Sequence, residues 1–94
     1  MTTTALHEPR ETRLKRMTMR SWRRGTKEMD LILGPFADAE LSAMEGGALD
    51  LYDALLSEND QDLYPWITGA ASPPERFTTL IGEIAVFARS ARDA

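Results

Sequence analysis

Apolar residues recur at spacings of three and four along most of this chain, which is the pattern of amphipathic α-helices. The clearest stripes follow this spacing and consist of Met29, Ile32, Leu33 and Phe36, then Leu49, Tyr52, Leu55 and Leu56, then Phe77, Leu80, Ile81 and Ile84. No segment alternates apolar and polar residues as a strand does, and neither a hairpin turn signal nor an internal repeat is present. The pattern therefore predicts an all-α fold, a compact bundle of five or six short helices.

Glycine, proline and capping residues predict the limits of the first two helices. Good helix formers over residues 10–24 predict the first helix, with Gly25 in the left-handed position that follows it. Thr26 has the side chain of an N-cap and is expected to begin the second helix. The Gly-Pro pair at residues 34–35 is expected to end that helix, because an interior proline removes a backbone donor, and this leaves Phe36 as an anchor in the turn.

The second half of the chain carries similar signals. Asp38 is expected to cap a short third helix that the glycines at residues 46–47 stop, and the next apolar stripe predicts a fourth. Asn-Asp at residues 59–60 predicts the start of the next segment, which Pro65 is expected to shorten or kink. Residues 72–75, Ser-Pro-Pro-Glu, combine a capping box with proline at the first helical position and predict the last helix.

The composition is that of one globular domain. With 94 residues, 43% of them apolar and 28% charged, the chain is long enough for a single core. Residues 1–9 are Thr-rich, contain Pro9 and lack apolar periodicity, so we expect a disordered N-terminal tail followed by a single helical domain over residues 10–94. The absence of cysteine excludes disulfides, thiolate metal sites and a cysteine nucleophile.

Location is predicted from the apolar runs and the N-terminal charges. The longest apolar runs fall far short of the roughly 20 residues that span a bilayer, and the N-terminus lacks the apolar region of a signal peptide. We therefore expect a soluble protein with no membrane partner. The basic, Ser/Thr-bearing start of the chain is similar to a mitochondrial transit peptide, but Glu8 and Glu11 interrupt the pattern. The bacterial cytoplasm is the favoured location over the mitochondrial matrix.

Charge is segregated along the sequence, although the net formal charge is only −4. Residues 10–28 contain eight cationic side chains and two acids, a local formal charge of +6, whereas residues 29–75 contain ten acids and no Lys or Arg. The molecule is thus predicted to have a basic end and an acidic body that orient a docking partner. The alternative is that the charges solvate helix faces and that the two halves attract each other in the fold.

Few residues suit catalysis or metal binding. The sequence lacks the glycine-rich nucleotide-binding loops, the nucleophile elbow and the zinc-protease motif, and its single histidine, His7, lies in the predicted tail. Asp-Gln-Asp at residues 60–62 lacks the glycine and terminal glutamate of a calcium-binding loop, so a solvated acidic face is favoured over a metal site. We therefore expect neither an enzyme nor a metalloprotein.

Residues 22–30, Trp-Arg-Arg-Gly-Thr-Lys-Glu-Met-Asp, are interpreted as a recognition motif. Arg24 offers a planar fork for carboxylates or carbonyls, Gly25 allows close approach of another backbone, and Glu28 supplies the opposite charge. A structural interpretation is equally compatible with the pattern. Gly25 then ends a helix, and Arg24 and Glu28 form a helical pair worth a few tenths of a kcal/mol.

The same residues resemble the signature of a known family. Residues 24–28 fit the Arg-Gly-x-x-Glu motif of the SdhE family, the FAD assembly factors of succinate dehydrogenase. At the family's spacing there follow Met-Asp at residues 29–30 and Pro-Phe at residues 35–36. Asp-Gln-Asp-Leu-Tyr-Pro-Trp at residues 60–66 is similar to the family's Asp-x-Asp-Leu-x-x-Trp segment. The resemblance covers roughly residues 14–90.

The resemblance implies a small five-helix chaperone rather than an enzyme. Members bind the flavoprotein subunit of succinate dehydrogenase or fumarate reductase and promote covalent attachment of FAD to it. FAD is then the partner's cofactor, this chain binds no cofactor stably, and the free protein is expected to be a monomer.

The docking surface is carried over from the family by position. It comprises Arg24, Gly25 and Glu28, with Arg23 and Asp30 as secondary candidates. In this interpretation Gly25 admits the partner's backbone and Arg24 binds acceptors near the flavin. Glu28 either fixes Arg24 or meets a cation of the partner.

Two other functions compete with this one. A basic first helix in a small helical bundle is also typical of nucleic-acid binders, but phosphate repels the long cation-free body, and no nucleic-acid partner is expected. A generic interaction module, such as an antitoxin-like partner, also needs no catalytic residues. In the family's second segment, Leu63 and Trp66 are interpreted as core residues rather than docking residues.

Overall fold

Five α-helices and two short 3₁₀ turns account for most of residues 8–93, the part of the chain that the structure, a computed structural model, describes. In chain order they are α1 (Arg10–Trp22), α2 (Lys27–Glu40), a 3₁₀ turn (Leu41–Ala43), α3 (Gly46–Leu56), α4 (Asp60–Thr68), a 3₁₀ turn (Glu75–Phe77) and α5 (Thr78–Asp93). No strand occurs within this range, and the all-α prediction is confirmed. The predicted tail at residues 1–9 lies largely outside the described residues, and its disorder stays a prediction.

The core is built from the three predicted apolar stripes and from residues of α1 and α4. Every member of those stripes is buried except Ile32, which is half-buried. The Phe36 ring is stacked on Tyr52 with 5.9 Å between ring centroids, and it meets the edge of Phe87 at 5.7 Å. Removing such surfaces from water contributes about 25 cal/mol per Å² of apolar area, which makes the stripes the main source of stability.

One polar pair lies inside the core and joins α1 to α3. The Ser21 hydroxyl donates to the Met17 carbonyl oxygen at 2.8 Å, and its oxygen lies 2.6 Å from the Tyr52 hydroxyl oxygen. Because the single Ser21 proton is already engaged, Tyr52 is the donor of the second bond. Burial raises the pKa of Tyr52 to about 12, although the bond with Ser21 acts in the opposite direction. The phenol is therefore neutral in the folded protein at ordinary pH.

The second helix continues where the sequence predicted its end. α2 passes through the Gly-Pro pair at residues 34–35 and ends at Glu40, so the predicted termination is wrong. Phe36 is a buried helical residue rather than a turn residue. Proline removes one backbone donor from a helix. Full burial of a phenylalanine side chain contributes about 1.5 to 3 kcal/mol and offsets part of that loss, which explains why the helix persists.

Gly34 allows close packing instead of ending a helix. It lies against the indole ring of Trp22, and a Cβ at Gly34 would overlap that ring. The Trp22 Nε1 donates to Asp38 Oδ2 at 3.2 Å, which fixes the ring along α2. The end of α1 is thus held against the middle of α2. α1 accordingly stops at Trp22, before the predicted limit at Arg24.

The predicted third helix is wrong. Asp38 lies within α2 rather than at a helix start, and residues 41–43 form only a 3₁₀ turn. The glycines at residues 46–47 begin α3 instead of stopping a helix. The first turn of a helix has no intrahelical acceptors for its N–H groups, so the weak helix propensity of glycine matters less there than in a helix interior.

The last two helices agree better with the prediction. α4 begins after Asn59, contains Pro65 and ends at Thr68, and the Gly69 that follows has a left-handed φ of +88°. α5 is present, but the capping box predicted at residues 72–75 makes no side-chain cap, and a 3₁₀ turn precedes the helix. Of the helices in residues 8–93, none combines the length and the apolar content that crossing a bilayer requires.

Candidate partner-binding site

Basic side chains of α1 face the acids of α3. Arg13 lies 2.7 Å from Asp50, and Arg16 and Arg20 lie 3.2 and 3.1 Å from Asp53, measured between guanidinium nitrogen and carboxylate oxygen. Spacings of three and four residues place these arginines on one face of α1. We call these five residues the charged seam. The alternative stated for the segregated charges, attraction between the two halves within the fold, is confirmed at this seam.

Asp53 is the centre of the charged seam. Burial alone raises the pKa of its carboxyl, but the hydrogen bond from Arg16 and the charges of the neighbouring arginines outweigh this effect and hold the pKa below its usual value. The carboxylate is therefore ionised at neutral pH. Arginines that the sequence assigns to a basic end are largely compensated inside the fold.

Arg24 points towards the connection between α3 and α4. Its Nε lies 2.9 Å from Asp60 Oδ1. Its Nη1 and Nη2 each donate, at 2.7 Å, to a carbonyl oxygen, of Leu56 and of Glu58 respectively. Only 10% of the Arg24 side chain is exposed. We call Arg24 with these three acceptors the clasp, and residues 23–26, which join α1 to α2, the connecting turn.

The backbone of the connecting turn is fixed on both sides of its glycine. The Arg24 N–H donates to Asp30 Oδ1 at 2.7 Å. The Met29 N–H donates to Thr26 Oγ1 at 3.3 Å, which confirms Thr26 as the N-cap of α2. Gly25 has a φ of +106°, as the prediction of a left-handed glycine requires.

Three predicted docking residues, Arg23, Gly25 and Glu28, are exposed at or beside the connecting turn. Beyond its chain neighbours, no described atom lies within 4 Å of the position that a Gly25 Cβ would take. The predicted helical pair of Arg24 with Glu28 is wrong, because the turn is not helical and Arg24 bonds to Asp60 instead. Whether these residues contact a partner stays a prediction.

A groove of about 480 Å³ begins beside the connecting turn and runs between α2, α4 and α5. Glu28 lines it together with apolar side chains from all three helices. Two large apolar residues on its rim are exposed, Leu31 by 56% and Tyr64 by 43%. Glu28 therefore belongs both to the exposed motif and to the groove.

The sequence interpretation missed Leu31 and Tyr64. A signal was available for Leu31, because it falls outside the stripe of Met29, Ile32 and Leu33 and so lies on the solvent side of α2. Tyr64 lies in the family's second segment, beside the predicted core residues Leu63 and Trp66. Those core assignments are confirmed, since Leu63 is fully buried and the half-buried Trp66 packs 6.1 Å from the Phe77 ring.

Comparison with known proteins agrees with the resemblance found in the sequence. Residues 15–88 match the family model described as flavinator of succinate dehydrogenase. A protein of Mycosarcoma maydis named succinate dehydrogenase assembly factor 2, mitochondrial, is 40% identical over 70 residues, which are 74% of this chain and 29% of that protein. The factor 2-B of Drosophila mojavensis is 40% identical over 76 residues, 79% of this chain and 48% of that protein.

A third relative covers more of the chain. The assembly factor 2 of Schizosaccharomyces pombe is 33% identical over 89 residues, 93% of this chain and 64% of that protein. The chain thus spans less than two thirds of the length of each of these relatives.

The comparisons correct the predicted location. All three relatives are named mitochondrial, so the prediction of a bacterial cytoplasm is wrong. That prediction depended on two acids near the start of the chain. Glu8 pairs with Arg16 at 3.0 Å, and Glu11 lies in the first turn of α1, where acids are favourable. Both acids therefore have a structural role in or beside α1.

Proposed function

Because this chain belongs to the family of flavinators of succinate dehydrogenase, we propose that it binds the flavoprotein subunit of that enzyme and promotes covalent attachment of FAD to it. The family match over residues 15–88 carries the proposal, since it contains both the connecting turn and α4. The relatives are named assembly factors of the same enzyme, which supports a role in its assembly. The flavoprotein subunit of the related fumarate reductase is the alternative partner in this proposal.

The chain acts on its partner by orientation rather than by catalysis. The reacting groups belong to the flavoprotein and to FAD, and the exposed residues of the motif are suited to recognition. Holding two reacting groups in a productive arrangement lowers a barrier by about several kcal/mol without any catalytic side chain. A small rigid bundle that stabilises one arrangement of the partner's domains supplies that effect.

The docking face consists of Arg23, Gly25, Glu28, Leu31 and Tyr64. Arg23 offers a fork for a carboxylate or carbonyl group, and Gly25 permits close approach of a backbone. Tyrosine and arginine are enriched in protein interfaces, and the exposed Leu31 beside them adds apolar surface that a partner can cover. Glu28 connects the two halves of the face because it lines the groove. The matching surface of the flavoprotein therefore presents a cation, an acceptor and apolar side chains.

Reconstitution tests this function directly. The purified chain is mixed with FAD and with the FAD-free flavoprotein from the same organism. Covalent flavin is then measured by fluorescence in denaturing gels. We expect the rate of attachment to rise with the concentration of the chain and then to saturate, with the same midpoint as direct binding. Equal rates with and without the chain, together with no binding, would reject the proposal.

A further inference from the structure

We infer that Arg24 is a positioning residue that shapes the connecting turn from within and does not itself contact the flavoprotein. The inference rests on the proposed function and assigns a different task to one residue of its motif. It also joins the two motif segments, because Arg24 belongs to the first and its partner Asp60 to the second, 36 residues further along the chain.

The hydrogen-bonding capacity of Arg24 is directed into the protein. Each of its three guanidinium nitrogens has an acceptor at 2.7 to 2.9 Å. The side chains of Arg24 and Asp60 are 10% and 19% exposed. Three of the five N–H donors of the fork are thus engaged within the protein, and the covered side chain leaves little of the fork accessible to a second carboxylate.

The three acceptors of the clasp lie at two helix ends. A cation is favourable at the C-terminal end of α3, and an anion is favourable at the N-terminal end of α4. Leu56 and Glu58 supply carbonyl oxygens at and just beyond the end of α3, where the last carbonyl groups lack helical partners. Asp60 is the first residue of α4, where a carboxylate is favourable. Arg24 therefore ties the connecting turn to both helix ends, and the clasp is more than an ion pair.

The clasp fixes the position from which the docking face begins. Arg24 precedes Gly25 directly, and its backbone N–H is held by Asp30 at 2.7 Å. Arg23 and Gly25 are joined to Arg24 by peptide bonds. Fixing the side chain and the backbone of Arg24 therefore also restricts the positions of these two residues. Loss of the clasp should let the turn move while the helices stay folded.

Binding measurements on clasp variants separate positioning from direct contact. Direct contact predicts that Asp60→Asn leaves binding intact or strengthens it, because it removes the negative charge that attracts Arg24 inward. Positioning predicts that Asp60→Asn and Arg24→Ala each weaken affinity for the FAD-free flavoprotein about tenfold, and that the double variant is no weaker than Arg24→Ala. Normal binding by Asp60→Asn beside lost binding by Arg24→Ala would overturn the inference.

A matched control addresses simple loss of stability. Arg20→Ala removes a comparable arginine that pairs with Asp53 of the charged seam at 3.1 Å and takes no part in the clasp. All variants are compared well below their melting temperatures, and saturating amounts of Arg24→Ala should restore the full rate of FAD attachment. If Arg20→Ala weakens binding as much as Arg24→Ala, the role of Arg24 is merely structural and the inference fails.

The free protein gives a readout that does not depend on the partner. The Gly25 amide resonance should shift in Asp60→Asn and in Arg24→Lys but stay in place in Arg20→Ala, because the bond of Arg20 is to the charged seam and not to the clasp. An unchanged Gly25 resonance in the clasp variants would overturn the inference even if the flavoprotein binds. Conversely, a shifted resonance with no binding by the unaltered chain would reject the proposed function alone.

Discussion

The charged seam and the docking face take their arginines from neighbouring parts of one basic stretch, residues 10–28, yet their chemistry differs. In the seam, arginines at helical spacing meet acids of α3 and are compensated inside the fold. In the docking face, Arg23 and Glu28 are exposed beside Gly25, and no described atom lies near the position that a Gly25 Cβ would take. The boundary is the end of α1 at Trp22.

This difference shows that segregated charge along a sequence does not by itself create a docking field. Within a helix, residues spaced by three or four share a face, and that face can be buried against opposite charge. Beyond the helix end, the basic side chains no longer share one face. The recognition function is therefore expected where the helix stops and not where the charge is densest.

The sharpest way to break the comparison is to fill the space beside Gly25. Gly25→Arg should reduce affinity for the flavoprotein by about 100-fold, roughly 2.7 kcal/mol, because the new side chain occupies the path of the partner's backbone. The measurement is direct binding together with covalent flavin on the partner.

Gly69→Arg is the matched control for that variant. Both glycines have positive φ, and neither has a described atom near its Cβ position. Each substitution should thus destabilise the fold by about 1 to 2 kcal/mol. Equal loss of binding by the two variants would show that strain, and not blocked contact, explains the effect.

A second test compares two exposed apolar side chains. Leu31 and Val86 are 56% and 53% exposed, but only Leu31 lies on the docking face. Leu31→Asp should weaken flavoprotein binding by about 30-fold, roughly 2 kcal/mol, because the partner would cover an unpaired carboxylate instead of an apolar side chain. Val86→Asp should bind normally. A larger loss for Val86→Asp would place the interface on the opposite side of α5.

The buried hydroxyl pair predicts an alkaline limit to stability. The pKa of Tyr52 is raised to about 12 from an ordinary value of 10.0, so above pH 10 the unfolded chain loses its proton before the folded chain does. Stability should be unaffected below pH 10 and fall by about 2 kcal/mol by pH 12. Urea unfolding across this range measures it, and Tyr52→Phe should lose less stability over the same interval.

The smallest predicted effect comes from a substitution in the charged seam. Asp53→Asn removes the negative charge that Arg16 and Arg20 share and replaces one acceptor oxygen with a donor, so it should destabilise the fold by about 1 kcal/mol at pH 7 without changing flavoprotein binding. The lowered pKa of Asp53 means that this contribution is present above the ordinary carboxyl pKa and is lost as pH falls through the lowered one. Weaker binding by a well-folded Asp53→Asn protein would show that the seam also takes part in docking.

The sequence predicted the helices of this fold better than their limits. Apolar spacing identifies the buried faces of α2, α3 and α5, since burial depends on a local period. The limits around Pro35 depend on what packs against the helix, because Phe36 is buried and Gly34 meets Trp22. No local signal in residues 34–35 contains that information.

The candidate site was predictable as a segment but not as an arrangement. The motif directed attention to residues 24–28, and the exposure of Gly25 and Glu28 is compatible with it. The inward direction of Arg24 was not predictable, because it depends on Asp60 and on carbonyl oxygens at the end of α3, far away in the sequence. An argument from helix spacing instead gives Glu28 as the partner of Arg24, because the two are four residues apart.

The bond between Ser21 and Tyr52 has a consequence for how α1 finds its place during folding. Arginine side chains are long and flexible, so the seam tolerates small displacements of α1 along α3 with little loss. The two hydroxyl groups do not, because sliding α1 by one turn, about 5.4 Å, would leave both buried without their bond. The hydroxyl pair therefore restricts the register of α1 against α3 more tightly than the flexible charged side chains do.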